Sequence, residues 1–191
     1  MTASEQAATR AVYLSFMADV NPTTAQALMG AVGQQIERGV AELHLLLSTP
    51  GGLVSEGLAL YNLLRALPIR LITYNIGSVN SIGNVIFLAG SERYASPASS
   101  FMFHGVGIDV YQARFEEKNL RERLCSIQND QNLIADVIVR HTRIGAEKVK
   151  DLFLEAAFVP ANDAKSWGLV DDVIDVKVPQ GAPFLQLVFQ R

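Results

Sequence analysis

The sequence predicts an α/β protein with a mostly parallel sheet flanked by helices. Strand-like and helix-like patterns alternate from residue 11 to about residue 89, and such alternation implies right-handed crossovers between parallel strands. Apolar residues make up 49% of 191, enough for the core of one domain. Residues 1–10 are expected to be a flexible segment, and 11–191 the domain.

Each element has its own warrant. "AVYLSF" (11–16) reads as the first strand. "NPTTAQALMGAVGQQIERG" then offers Asn21 as an N-cap and Pro22 at the first helical position, with Ala25, Leu28, Met29, Val32 and Ile36 at helical spacing and Gly39 closing the helix. "ELHLLLS" (42–48) is the second strand. Leu60, Leu63, Leu64 and Leu67 mark a second helix that Pro68 stops. "RLITYNI" (70–76) is the third strand, a helix is expected from Ile82 to about Ala89, and "SFMFHG" (100–105) is a further strand. From Phe115 to Arg143 no Gly or Pro interrupts a helical apolar pattern that includes Leu120, Leu124, Ile127, Leu133, Ile134, Val137 and Ile138. A helix of that length reaches roughly 40 Å, further than one small domain covers, so part of its apolar stripe is expected to meet another subunit. Short helices near 146–154 and 161–167 and a strand in "LVDDVIDVKV" complete the pattern.

A net charge of −3 without a basic stripe argues against nucleic acid as a partner. The first ten residues lack the basic start and apolar run of a secretory signal, and no apolar run approaches the ~18–20 residues of a membrane span, so a cytosolic location away from membranes is expected. The single cysteine, Cys125, excludes an internal disulfide and is expected to be a small packed hydrophobe.

The loops "STPGG" and "NIGSVNS" leave strands for helices, so both fall at the carboxyl edge of the sheet, where α/β proteins build their sites. Gly51-Gly52 can turn backbone N–H groups outward to hold an oxyanion, although a glycine pair serves equally as a plain turn. Ser81 stands at the start of a helix, where it is either a nucleophile or, like Asn80, an ordinary cap. The Gly-x-Ser-x-Gly elbow of α/β-hydrolases is excluded, because it would need glycine at Val79. Of three histidines, His141 suits a helix end as an imidazolium and His44 sits inside a strand, where burial or a structural hydrogen bond accounts for it. His104, at a strand's carboxyl end, shares the edge with Ser81.

These residues, in this order, resemble the ClpP-like serine peptidase family, the proteolytic subunits of the bacterial Clp protease, which have the ClpP/crotonase fold. "STPGGLVSEGLALYNLL" is similar to the family's Ser-Pro-Gly-Gly oxyanion strand and helix, "GSVNSIGNVIFLAGSERYASPASSFMFH" to its nucleophile helix and histidine strand, and "FVPANDAKSWGLVDDVI" to its carboxyl-terminal Gly-Leu-(Ile/Val)-Asp signature. Together these cover about residues 11–176. The resemblance implies Ser81 as nucleophile, His104 as general base, the N–H groups of Gly52 and Ile82 as oxyanion hole, and no metal or cofactor. It further implies peptide or unfolded-protein substrates, and a homo-oligomer of stacked rings docked through a protruding handle helix at about 115–143.

Two positions depart from the family pattern. The third triad member, an acid two residues before Phe158, is here Ala156; Glu155 is the adjacent candidate, and a serine–histidine pair without an orienting acid is expected to be slow. "MTASEQAATR" lacks the apolar motif of the family's axial loops, so engagement of an ATP-driven unfoldase does not follow. In the tail, Phe184, Leu185, Leu187, Val188 and Phe189 are apolar enough to pack on a neighbour. Two other functions compete: a non-catalytic assembly or regulatory subunit that lost the acid, and a crotonase-type enzyme acting on an acyl-thioester. The second ranks last because the sequence keeps a serine and a histidine and shows no glutamate pair at the strand ends.

Overall fold

Continuous apolar runs, rather than strict alternation, mark strands buried on both faces of a parallel sheet. β1 (Ala11–Phe16), β2 (Glu42–Thr49) and β3 (Arg70–Asn80) are of this kind, with five of the six β1 residues buried. The computed structural model describes residues 11–109 and 114–189, so the character expected of residues 1–10 lies outside the described residues. β4 (Glu92–Ala95), β5 (Ser100–Phe103), β6 (Ala157–Pro160), β7 (Asp172–Val173) and β8 (Phe184–Gln186) complete an eight-stranded sheet of order β6-β5-β3-β2-β1-β8, with β4 bridging β3 to β7. Every pairing is parallel except β5 with β6.

The helices are α1 (Pro22–Glu37), α2 (Val54–Ala66), α3 (Gly83–Phe87), α4 (Glu117–His141), α5 (Ala146–Glu155) and α6 (Ala161–Ser166). All six contribute to one core cluster, built on Leu14, Phe16, Leu45, Leu47, Phe87 and Phe101. α1 begins as expected: Asn21 Oδ1 accepts from the Thr24 N–H at 3.0 Å, and Thr24 Oγ1 accepts from the Asn21 N–H at 3.0 Å. A second cluster, Tyr13, Leu46, Ile72 and Tyr74, has no helical residue; Ile174, Val176 and Ala182 pack against it.

Several boundaries differ from expectation. The polar stretch Gly77–Asn80 is strand, because β3 changes partners along its length: Ile72–Asn75 pair with β4, and Ser78–Asn80 pair with β5. β4, between β3 and β7, and β6, at the edge beside β5, are short strands whose four residues are too few to carry a period. The expected strand "LVDDVIDVKV" shrinks to β7, two residues long. The tail meets its own chain: β8 extends the sheet beside β1, and Leu185, Leu187 and Phe189 pack against the main core. Phe184 and Val188 remain exposed.

α4 is long, as its composition predicts, but only Ile134, Val137 and Ile138 are buried. Residues 116–126 are exposed throughout. Cys125 falls in that stretch and is exposed, not packed, because the first half of the helix has no core beneath it.

Candidate active site

Parallel register fixes which residues emerge together. Thr49 pairs with Val79, and Asn80 with Met102, so the segments that follow β2, β3 and β5 leave the sheet at one edge. Those segments carry Gly51-Gly52, Ser81-Ile82 and His104.

Ser81 lies between the end of β3 and the start of α3 with φ of 55°. For a residue with a Cβ this left-handed conformation costs about 1–3 kcal/mol, so surrounding contacts must hold it. They are visible: the Ser81 N–H donates to Met102 O at 2.8 Å, and Ser81 O accepts from the Asn84 N–H at 3.0 Å. The geometry also excludes the capping role. α3 is capped by Ile82 in a helical conformation without any side-chain cap bond, and Asn80 Oδ1 instead accepts from the Ser78 hydroxyl at 2.7 Å. Ser81 is half-buried, and its hydroxyl has no hydrogen-bond partner among the described residues.

Gly51 and Gly52 make room for this corner. Gly51 has φ of +94°, and a Cβ there would stand 2.7 Å from Ser81 Cβ and 2.9 Å from Asn80 O. At Gly52, with φ of +150°, a Cβ would fall 2.1 Å from Val20 O. The turn is clamped on its far side, where Val20 N donates to Gly51 O at 2.7 Å and Leu53 N to Val20 O at 2.8 Å. Neither the Gly52 nor the Ile82 N–H has an acceptor among the described residues. Ile82 itself is buried, which anchors the first residue after the serine in the core.

His104 stands one residue beyond β5. Phe101 and Phe103 point into the core, so the period of two sends Met102 and His104 to the other side, where His104 is exposed. Its ring has no hydrogen bond among the described residues, to Ser81 or otherwise. The antiparallel register Phe103 with Ala157, carried one step on, sets Ala156 opposite His104. Ala156 is the left-handed C-cap of α5, with φ of 51°. Glu155, the last residue of that helix, is exposed, and its carboxylate makes no hydrogen bond or ion pair among the described residues.

The other histidines are structural. His44 is buried, with Nδ1 2.9 Å from the Tyr74 hydroxyl and Nε2 2.8 Å from Glu42 Oε1. The His44 and Arg70 contacts hold the Glu42 carboxyl below its usual range against the opposing effect of burial. His141 departs from expectation. It does end α4, but its Nε2 is 2.7 Å from the Tyr61 hydroxyl, and burial together with Arg65, Arg93 and Arg140 lowers its pKa, favouring neutral imidazole over imidazolium.

One contributor went unread in the sequence. Asn84, 1% exposed, donates from Nδ2 to Met102 O at 2.8 Å and so ties α3 to β5, setting the serine corner against the histidine strand. Its Oδ1 is buried without a partner among the described residues. The signal was an amide inside the apolar run "IGNVIFLAG". Among the described residues no group of three or more His, Cys, Asp or Glu could hold a metal ion, and no helix is long and apolar enough to cross a membrane.

The sequence matches the Clp protease family over residues 5–177, a span that takes in every residue of the serine corner and stops before β8. By that match over most of its length, and by its mainly parallel sheet flanked by helices, the chain belongs to the Clp protease family, a membership that points to serine peptidase activity.

Proposed function

We propose that the chain is a serine endopeptidase whose reacting centre is the Ser81 corner. The carrying observation is a serine held at positive φ at a strand end, relieved of any capping duty, beside free backbone donors and the strand end that bears His104. In this reading His104 takes the Ser81 hydroxyl proton as Oγ attacks a peptide carbonyl. The N–H groups of Gly52 and Ile82 hold the oxyanion, and His104 returns the proton to the departing amine. Water, deprotonated by the same ring, then releases the acyl group and restores the hydroxyl.

Gly105 N–H donates to Phe153 O at 2.9 Å, which sets a groove of about 630 Å³ between α4 and α5 next to the His104 backbone. Gln128, Gln131, Asn132, Lys150, Phe153 and Leu154 line it, a mixed surface suited to a substrate side chain. With Ala156 where an orienting acid would face His104, turnover is weak, since loss of that acid costs a triad about 10⁴-fold. The same reading makes the exposed first half of α4, with Leu120 and Leu124 each more than half exposed, the handle through which rings of this chain stack.

A fluorophosphonate probe tests this directly. Labelling at Ser81 in the assembled protein, abolished in Ser81→Ala, is the expected result; an unlabelled Ser81 in assembled protein overturns the reading. Ala156 also favours a second reading, an assembly subunit without catalysis, which predicts that Ser81→Ala behaves like wild type in every functional assay.

A further inference from the structure

A cavity of about 460 Å³ lies away from the serine corner, where the carboxyl ends of α4 and α6 meet β4. Arg93 pairs in register with Thr73 of β3, and Ser81 is eight residues further along the chain, roughly 25 Å at the strand rise of about 3.3 Å per residue. Arg93, Arg140, Arg143, Lys165 and His141 line the cavity, against one carboxylate, Asp171. This concentration of positive charge occurs in a chain whose net charge is −3.

Cations at helix carboxyl ends usually serve the last carbonyls. Here several of those carbonyls are occupied by other donors. Ile138 O accepts from the Thr142 hydroxyl at 2.7 Å, Trp167 O from the Arg143 backbone N–H at 2.8 Å, and Lys165 O from the Gly168 N–H at 3.1 Å. Among the described residues only Gly168 O takes a guanidinium here, Arg93 Nη2, at 3.3 Å. The acidic groups are engaged too. Asp171 Oδ2 accepts from the Arg93 backbone N–H at 2.8 Å while its Oδ1 is 3.9 Å from Arg93 Nη2, and Asp172 binds Lys165 at 2.7 Å.

What remains is a guanidinium surplus. The Arg140 and Arg143 side chains have no partner among the described residues. Arg93, whose side chain is only 12% exposed, carries a buried Nε–H with no acceptor among the described residues. Burial lowers its pKa, against the opposing pull of Asp171 and with a smaller push from the nearby Arg65, so the charged guanidinium is incompletely compensated where it sits. An unpaired buried donor on a charged group is costly to leave unmade, and guanidinium forks match the oxygens of a phosphoryl group.

We propose that the cavity bounded by Arg93, Arg140 and Arg143 binds a small phosphate-bearing anion. The site owes nothing to the peptidase reading, and its test needs no turnover. Full-length protein is titrated calorimetrically with inorganic phosphate and with pyrophosphate at constant ionic strength in chloride. Saturable binding of at least one is expected, with pyrophosphate tighter if the natural ligand is a diphosphate and equal if it is a monophosphate. The double variant Arg140→Gln/Arg143→Gln removes exposed, unbonded groups and leaves the fold intact; it should weaken binding at least about tenfold. Lys118→Gln/Arg121→Gln removes the same charge from the exposed part of α4 and should leave affinity within about twofold. Arg93→Lys, which keeps the charge and loses the fork, should also weaken binding. Absence of saturation by either probe, or equal losses in the two double variants, overturns the proposal.

Discussion

Two strand-to-helix corners of this protein begin with the same vocabulary and end differently. At the β1–α1 corner, Asn21 adopts an extended conformation and closes a reciprocal pair of bonds with Thr24, so side chains satisfy the Thr24 N–H and the N–H of the cap residue itself. At the β3–α3 corner, Asn80 and Ser81 are equally good caps by type, yet neither caps: Ser81 is turned to φ of 55°, and the Ile82 N–H has no acceptor among the described residues. The first corner lowers the free energy of the fold. The second keeps donors and a hydroxyl unspent, which is the condition for receiving a charged transition state.

The sharpest way to widen this contrast is to supply the missing acid. Ala156→Asp should raise kcat/KM on a fluorogenic peptide, by up to about 10⁴-fold if orientation of His104 is the whole deficit. Asp tolerates the left-handed φ of 51° that residue 156 adopts, so the fold should accept it. No gain in a protein that remains folded would mean that the His104 ring is not addressed from position 156.

Ser81→Gly probes the strain and the chemistry together. Peptidase activity should fall at least about 100-fold, while the melting temperature rises, because glycine relieves a positive φ worth about 1–3 kcal/mol. A lower melting temperature would show that the Ser81 side chain stabilises the corner. Gly51→Ala should act in the opposite sense, destabilising by more than ~1 kcal/mol, since its Cβ would collide with Ser81 and its φ is positive; chemical denaturation measures it. At the other corner Asn21→Ala should cost about 1 kcal/mol in the same measurement and leave kcat/KM unchanged. An activity loss there as large as at Ser81 would erase the distinction between the two corners.

The smallest effect belongs to His141. Its pKa is lowered in the folded protein from an ordinary 6.5, so the unfolded chain takes up a proton first as pH falls. Its contribution to stability is present above about pH 6.5 and shrinks as pH drops through that value. His141→Gln should flatten the fall in melting temperature between about pH 7 and 5.5.

How much of the site was legible follows from the same residues. Ser81, His104 and the glycine pair stood out because strand ends in a parallel alternation must share an edge, a rule that needs no coordinates. Asn84 was hidden because an amide within an apolar run gives no hint of what it binds; only the placement of β5 beside β3 supplies Met102 O as its acceptor. Cys125 was misjudged for the converse reason: helical spacing tells that a face is apolar but not that anything lies under it.

By itself the sequence determined the alternation of strands and helices, the start of α1 at Asn21-Pro22, the long run of α4 and the sheet edge that the segments bearing Ser81 and His104 share, all consequences of local periodicity and chain direction. Tertiary structure alone decided that β3 runs on through Gly77–Asn80, that β8 closes on β1, and that Ser81 abandons capping for a left-handed turn. Those outcomes depend on partners brought from far along the chain: β5 beside β3, Pro183 O for the Tyr13 N–H, Met102 O for the Ser81 N–H. A backbone group's choice among conformations is settled by the bond it can complete, and the identity of that distant partner is not written in its neighbours.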